Sequence, residues 1–513
     1  MMLAQGGHSR PKMARPLRWN AYIGHMTLPP HDVCYRALRT RDPKLDGRLF
    51  VGVTSTGIYC RPICPARTPK PENLRFYPSA AAAQEAGFRP CLRCRPEISP
   101  DAAAWRGTSN TVSRALALIG EGLLDGESGV TALADRLGVG ERQLRRLFDQ
   151  HLGAPPIAVA QTRRILFAKQ LIQDTQLSMT EIAAASGFGS VRRFNDAFRK
   201  LYRKPPRELR RKKSAAASAV TLKLGYRPPY DWDAMIAFLG ARAIDGVEVV
   251  ERGRYARTIE IAGHIGSVEV RPGAGHLLAT IRFPQVSALL AIVARLRRLF
   301  DLDADAASIA AHLSGDDALA PLIMKRPGLR TPGAWDGFET ACRAIFGQQI
   351  TVSAARRLAS ELARRAGRDA DAGVTGDARL HKVFPTPQRV AAADISTMPM
   401  PKQRIAALKS LAEAAACDPR LLDPVGTFDE ALARLVALPG FGPWTAQYWA
   451  LRALRDSDAF PAADVALLRH PAVACDSGRP TPKALLARAE AWRPWRAYAA
   501  QHLWTSGAEA ALG

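Results

Sequence analysis

Two close pairs of thiols, Cys60-x3-Cys64 and Cys91-x2-Cys94, confine four of the chain's eight cysteines to two short turns. A segment long enough to fold back separates the pairs. A tetrahedral four-sulfur zinc site requires this arrangement, so the spacing predicts that Cys60, Cys64, Cys91 and Cys94 hold Zn2+. A reducing compartment suits such a site better than a secreted disulfide framework does. Four thiolates on one zinc carry a net charge of about −2, which makes the sulfurs electron-rich and leaves both a structural and a nucleophilic use open. The strand-like run Leu49-Phe-Val-Gly-Val53 leads into the first pair.

At 513 residues the chain exceeds what one core can hold, so several domains are expected. A net charge of +25 points to a polyanionic partner, with nucleic acid ahead of a membrane surface because no basic amphipathic anchor stands out. No apolar run approaches the length of a membrane span, and the first 25 residues lack the apolar stretch of a signal peptide. A cytoplasmic protein is expected. Residues 1–30 show little periodicity and read as disordered.

Beyond the cysteines, helical periodicity appears in duplicate. Thr131-Ala-Leu-Ala-Asp-Arg-Leu-Gly-Val139 leads into Arg142-Gln-Leu-Arg-Arg-Leu-Phe148, and Met179-Thr-Glu-Ile-Ala-Ala-Ala-Ser-Gly-Phe188 into Val191-Arg-Arg-Phe-Asn-Asp-Ala-Phe198. Each copy is helix, Gly-containing turn, helix, the spacing of a helix-turn-helix. Between residues 191 and 213, eleven Lys or Arg face two Asp or Glu. On a recognition helix that balance serves phosphate contact and base readout by Arg192, Arg193 and Asn195. An Ala/Ser stretch then reads as a linker over 211–221.

Alternating segments at 258–262, 267–271 and 276–282 predict a small antiparallel sheet, with helices from 286 onward. Among these lies Leu438-Pro-Gly-Phe-Gly-Pro-Trp-Thr-Ala-Gln-Tyr448, a Gly/Pro bend between two apolar-periodic segments, hence a helix-hairpin-helix. Gly440 and Gly442 supply positive φ and close backbone approach, and Pro443 suits the first turn of the second helix. Backbone N–H groups there can hold a DNA phosphate. Asp464 follows in a small apolar setting, either as the N-cap of another helix or as a catalytic carboxylate.

These words resemble known families. Thr56-Gly-Ile-Tyr-Cys-Arg-Pro-Ile-Cys-Pro65 and Gly87-Phe-Arg-Pro-Cys-Leu-Arg-Cys94 are very similar to the amino-terminal zinc domain of Ada-type proteins. The paired helix-turn-helix resembles the AraC-type DNA-binding domain that those proteins carry. The hairpin with Asp464 resembles the helix-hairpin-helix DNA glycosylases of the AlkA-type branch, as do Tyr226-Arg-Pro-Pro-Tyr-Asp-Trp232, Arg343-Ala-Ile-Phe-Gly-Gln-Gln349, Phe384-Pro-Thr-Pro387 and Trp492-Arg-Pro-Trp-Arg496. The chain thus resembles an Ada/AlkA fusion. The resemblance implies a multidomain fold: a zinc-bound α+β domain at 31–98, an all-α double helix-turn-helix domain at 108–210, a small α/β domain at 222–300 and an all-α glycosylase domain at 301–507.

What the resemblance implies about chemistry is specific. Cys60 accepts a methyl group from DNA methylphosphotriesters as a transcriptional switch, with RNA polymerase and promoter DNA as partners. Asp464 is the catalytic aspartate of a DNA-3-methyladenine glycosylase acting on damaged double-stranded DNA. A base lesion must be flipped out to be reached, and Trp444, Tyr448 and Trp504 are the aromatics to receive it. A carboxylate stabilises the oxocarbenium charge that develops as the glycosidic bond breaks. Trp444 stands where lyase-bearing relatives have a Schiff-base lysine, so a monofunctional hydrolase is implied. The loop holding Gln348 and Gln349 fills the gap left by the flipped base, in some members with an apolar wedge; Gln349 is polar, which leaves the identity of the wedging residue open. Ada-type proteins also end in a methyltransferase with a Pro-Cys-His-Arg acceptor. Cys342, Cys417 and Cys475 stand in other contexts, so that activity is expected to be absent. The competing reading is a transcription factor whose carboxyl half binds DNA without catalysis.

Overall fold

The computed structural model describes residues 28–100, 110–125, 129–210, 219–423, 428–474 and 478–510. Most of the expected disordered segment 1–30, residues 211–218 of the linker, and Cys475 lie outside the described residues.

In the amino-terminal module, strands β1 (Phe50–Val53), β2 (Ile58–Cys60), β3 (Leu74–Tyr77) and β4 (Arg89–Pro90) form a mixed sheet in the order β3-β1-β2-β4. A tight turn with Gly57 at φ +63 joins β1 to its antiparallel partner β2. β4 runs parallel to β2 with Tyr59 opposite Pro90, which sets Cys60 and Cys91 side by side at the strand ends. The Cys91 N–H donates to the Tyr59 carbonyl at 2.9 Å and closes that pairing. Helix His31–Thr40 buries Cys34, Ala37 and Leu38 against Val51, Val53 and Leu74 of this sheet.

Next come the two helix-turn-helix units, Val130–Leu137 with Glu141–Leu152 and Met179–Ala185 with Val191–Tyr202, bridged by helix Pro156–Asp174. Gly138 and Gly187 take φ +66 and +72, the left-handed residues that end each first helix without a Cβ clash. Ser178 and Glu181 form a reciprocal capping box on the third of these helices, and Ser190 caps the fourth. Phe194, Phe198 and Tyr202 recur at helical spacing and are buried.

The sheet of the carboxyl half has five antiparallel strands, β5 (Val220–Gly225), β6 (Glu248–Glu251), β7 (Arg254–Ile261), β8 (His264–Gly273) and β9 (His276–Arg282), in the order β5-β9-β8-β7-β6. Alternation reveals the central three. β6 is short, and β5 begins at Val220, within the last residues read as linker. Helices then dominate to Ala510, and the largest core gathers residues from Ile244 to Leu503. A second core runs without interruption from Ile182 and Phe198 of the helix-turn-helix units to Leu222, Val268 and Ile292 of the carboxyl half. The two halves are packed together rather than tethered.

Candidate functional site

The hairpin joins helix Phe428–Val436 to helix Pro443–Trp449. Its two glycines differ. Gly440 has φ +81, and a Cβ there would lie 2.5 Å from the Ala407 Cβ, so both conformation and space demand glycine. Gly442 has φ −93, outside the left-handed region expected for it, and a Cβ there would meet nothing within 4 Å. It caps the second helix with its backbone open to a ligand. Pro443 occupies the first turn as expected. The Gln348 amide donates to the Gly440 carbonyl at 2.8 Å and to Thr445 Oγ1 at 3.2 Å, tying the neighbouring loop to the hairpin. Gln349 is exposed and sits at φ +54, a left-handed conformation that is costly for a side-chain-bearing residue.

Asp464 caps helix Val465–Arg469, as one reading of the sequence expected, and it does more. Its Oδ1 accepts the N–H groups of Ala466 and Leu467 at 3.0 and 3.1 Å. Two indoles also converge on the carboxylate: Trp444 Nε1 donates to Oδ2 at 2.8 Å and Trp504 Nε1 to Oδ1 at 3.0 Å. Trp444 stacks on Tyr448 with ring centroids 5.5 Å apart and planes 14° off parallel, and Trp504 meets Tyr448 edge-on at 6.3 Å. The structure therefore gathers Asp464, Trp444, Tyr448 and Trp504 in one place. All four are partly accessible. The Phe460 N–H donates to Gln447 Oε1 at 3.0 Å, anchoring the loop that delivers Asp464 to the helix carrying Trp444 and Tyr448.

Sequence reasoning missed the far wall of this recess. After Trp449 the helix widens into a π-helical turn, Ala450–Leu454, a distortion that often marks functional sites. It carries Arg452, 3% exposed, whose guanidinium carbon lies 4.5, 5.4 and 5.3 Å from the ring centroids of Phe238, Tyr448 and Trp504. Arg452 donates to the Pro332 carbonyl at 2.9 Å and to Gln501 Oε1 at 3.0 Å. Burial pulls its basicity down to about 10. Burial pushes the Tyr448 phenol up, but Arg452 and Arg242 together outweigh it and hold the hydroxyl below its ordinary range. Periodicity marks a buried arginine only as a polar residue, so no signal in the sequence finds it.

At the other end of the chain, the Sγ atoms of Cys60, Cys64, Cys91 and Cys94 all lie within 4.8 Å of one another. A tetrahedral zinc with sulfurs at about 2.3 Å separates its ligands by about 3.8 Å, so the cluster fits the ion. Cys64, Cys91 and Cys94 are buried, whereas Cys60 is half-buried. The N–H groups of Arg61 and Arg93 donate to Cys94 Sγ and Cys91 Sγ, each at 3.4 Å, as expected around electron-rich sulfur. The Arg61 side chain turns inward to the buried carboxylate of Asp46, donating to Oδ1 at 2.7 Å. Lys169 of helix Pro156–Asp174 is fully buried and bridges the Cys91 carbonyl at 3.1 Å and Glu97 Oε2 at 2.7 Å. The zinc module and the helix-turn-helix units thus meet beside Cys91. Of the other thiols, Cys34 is buried and pushed up to about 12 by that burial, then by Asp32.

In the second helix-turn-helix unit, Arg192 and Arg193 are exposed at the start of helix Val191–Tyr202, with Asn195 half-exposed two residues on. The corresponding helix of the first unit, Glu141–Leu152, presents Arg142, Arg145 and Arg146 in the same way, a set that the repeat itself discloses once the copies are aligned.

Comparison with known proteins agrees with these modules. The profile of the metal binding domain of Ada matches residues 33–97, that of a helix-turn-helix domain 133–212, and that of the AlkA N-terminal domain 221–336. A probable bifunctional transcriptional activator/DNA repair enzyme AlkA from Mycobacterium tuberculosis (strain CDC 1551 / Oshkosh) is 40% identical over 481 residues, 92% of this chain and 96% of that protein. DNA-3-methyladenine glycosylase 2 of Escherichia coli (strain K12) is 36% identical over 289 residues, 55% of this chain and 95% of its own length. The bifunctional transcriptional activator/DNA repair enzyme Ada of the same organism is 39% identical over 135 residues, 26% of this chain and 36% of that protein. A relative matched over nearly its whole length, together with the three profiles in one order, places the chain in the family of bifunctional transcriptional activator/DNA repair enzymes that fuse Ada-type modules to an AlkA-type one.

Proposed function

We propose that the repair half excises alkylated purines from double-stranded DNA by hydrolysing the N-glycosidic bond, and that the amino-terminal half records methylation damage and regulates transcription. The observation that carries the first part is the fixed carboxylate of Asp464 beside the stacked Trp444 and Tyr448. A base flipped from the duplex stacks on these rings, and a purine alkylated to a cation gains from their electron-rich faces. As the C1′–N bond breaks, its electron pair leaves with the base and positive charge builds on the sugar. Oδ1 of Asp464 already accepts three donors, while Oδ2 accepts one and keeps an open lone pair. That geometry suits a rigid anion that stabilises the cation better than a base that must turn to take a proton. Water then adds to C1′ and leaves an abasic site. No lysine stands at the site of Trp444, so the strand is not cleaved.

The backbone at Gly440 and Gly442 holds a phosphate beside the lesion, Gln348 braces the hairpin, and Gln349 on its strained, exposed loop fills the space of the flipped base. Arg192, Arg193 and Asn195 read promoter DNA together with the first recognition helix.

Cys60 is the acceptor because it alone of the four cysteines is not buried. Its sulfur attacks the methyl carbon of a phosphotriester; the S–CH3 bond forms, the CH3–O bond breaks, and the phosphodiester leaves as an anion. Zinc, when bound, keeps the four sulfurs as thiolates at neutral pH. Activation engages RNA polymerase in the cytoplasm. Among the described residues no helix is long and apolar enough to cross a membrane. The functional units we assign are 31–98, 108–210, 220–300 and 301–507, the third opening at Val220, where β5 begins, rather than at 222.

Chromatography of the bases set free from an alkylated duplex tests the catalytic part. Free alkylpurine with an intact backbone is expected, and the absence of any released base refutes it.

A further inference from the structure

The seam between zinc module and repair half is close-packed yet electrostatically unbalanced. A Cβ on Gly225 would lie 2.0 Å from the Ile98 carbonyl oxygen, so the two backbones touch, and one on Gly47 would lie 3.1 Å from Arg227 Nη2. Into this seam the repair half inserts Arg227, 1% exposed. Its Nε donates to the Asp46 carbonyl of the zinc module at 2.8 Å and its Nη1 to the Asp303 carbonyl of its own half at 2.6 Å. Among the described residues its Nη2 has no hydrogen-bond partner and the side chain makes no ion pair. Burying a guanidinium without a carboxylate is costly, and burial draws its basicity down to about 10.

The carboxylate that would serve Arg227 is two residues beyond its Asp303 contact, and it is taken. Asp305, 2% exposed, pairs with Arg48 of the zinc module at 2.6 Å and accepts the Ser308 hydroxyl at 2.6 Å. Arg48 and then Arg227 offset the burial of that carboxyl and hold it below its usual range, so it lies within the field of both cations. Arg48 is the accessible member, with 23% of its side chain exposed. A DNA phosphate can therefore compete for it, as it competes for any exposed guanidinium. When Arg48 departs, Arg227 is the resident cation left to claim Asp305, and the opened seam hydrates its free nitrogen. Undocking exchanges one ion pair for another and relieves a buried charge.

We propose that the zinc module is docked on the repair half by a releasable latch in which Asp305 exchanges Arg48 for Arg227, and that DNA phosphate opens it by taking Arg48. Promoter engagement would then free the methyl-acceptor module from the glycosylase. The trigger rests on the reading of the zinc module as a DNA-transacting one; the latch does not.

Hydrogen exchange on the full-length, zinc-loaded protein separates the two, read at peptides covering residues 43–48 and 225–230. Without DNA, Arg48→Ala and Asp305→Asn are expected to raise exchange there severalfold. Arg227→Met is expected to lower it, because the charge that disfavours docking is gone. If Arg227→Met raises exchange as Arg48→Ala does, Arg227 is a plain clamp and the latch is refuted. Should that variant fail to fold, Arg227→Gln, which keeps a donor for the Asp46 carbonyl, replaces it with the same expected direction. Adding a saturating undamaged duplex at low salt is expected to raise exchange in the parent and to leave Arg48→Ala unchanged. Unaltered exchange in a parent shown by anisotropy to be DNA-bound refutes the trigger, whereas absence of binding indicts the underlying functional reading.

Discussion

Trp444 Nε1 lies 2.8 Å from Asp464 Oδ2, and this bond makes the floor of the aromatic recess part of the carboxylate's support. Trp444→Phe keeps a stacking face and removes the donor. A hydrogen bond to a charged group contributes about 1.5–3 kcal/mol, so single-turnover base release should slow by roughly tenfold to a hundredfold. Trp504→Phe, which loses the 3.0 Å bond to Oδ1, should show a similar loss, and the two together less than the product because Asp464 is shared. Unchanged release in both single variants would reduce the indoles to stacking surfaces.

The two hairpin glycines should fail in different ways. Gly440→Ala forces a side chain into φ +81 and against Ala407, and should lower stability by about 2–4 kcal/mol in denaturant titration. Gly442→Ala meets no atom within 4 Å and should fold normally. Its methyl group stands before the open N–H groups, so affinity for duplex DNA should fall with the melting temperature unmoved.

How much of this was legible in the sequence depends on range. Cysteine pairs, alternating strands, the doubled helix-turn-helix and the Gly/Pro hairpin are local patterns, and the structure contains each. The parallel pairing of Tyr59 with Pro90 that aligns Cys60 with Cys91 is a tertiary event between two very short strands. Trp444 and Trp504 reach Asp464 from 20 and 40 residues away, so the sequence presents them as aromatics with no hint of a shared acceptor. Lys169 reads as the polar face of a helix until Glu97 and the Cys91 carbonyl enclose it. Arg227 and Arg452 were hidden for the same reason, since hydrophobic periodicity assigns arginine to solvent.

His502 gives the repair half an acid-sensitive core. Burial holds its imidazole down to about 4, so the folded state keeps it neutral while an unfolded chain binds a proton near pH 6.5. The stabilising difference is complete above pH 6.5 and is lost as pH falls toward 4, amounting to roughly 3 kcal/mol. Thermal melts of His502→Phe should therefore show a flatter decline between pH 6.5 and 4 than the parent. An identical slope would contradict the burial of a neutral ring.

Methylation of Cys60 converts a thiolate to a thioether and moves the zinc site from about −2 to −1, which lessens its repulsion of DNA phosphates. Promoter affinity should rise by roughly 1–3 kcal/mol after exposure to methylphosphotriester DNA, and Cys60→Ser should abolish the rise. Mass spectrometry should find the methyl group on Cys60; finding it on Cys64, Cys91 or Cys94 with Cys60 free would overturn the assignment.

The central claim is that the carboxylate held by Trp444 and Trp504 breaks the glycosidic bond. Single-turnover release of alkylpurine from a methylated duplex, compared between the parent and Asp464→Asn at saturating protein, tests it most directly. With its oxygen in the place of Oδ1 the amide keeps the bonds from Ala466, Leu467 and Trp504, but its nitrogen cannot accept from Trp444 and the negative charge is gone. The expected result is a loss of at least about 10² in rate with DNA affinity retained. Release from Asp464→Asn at the parental rate would contradict the account.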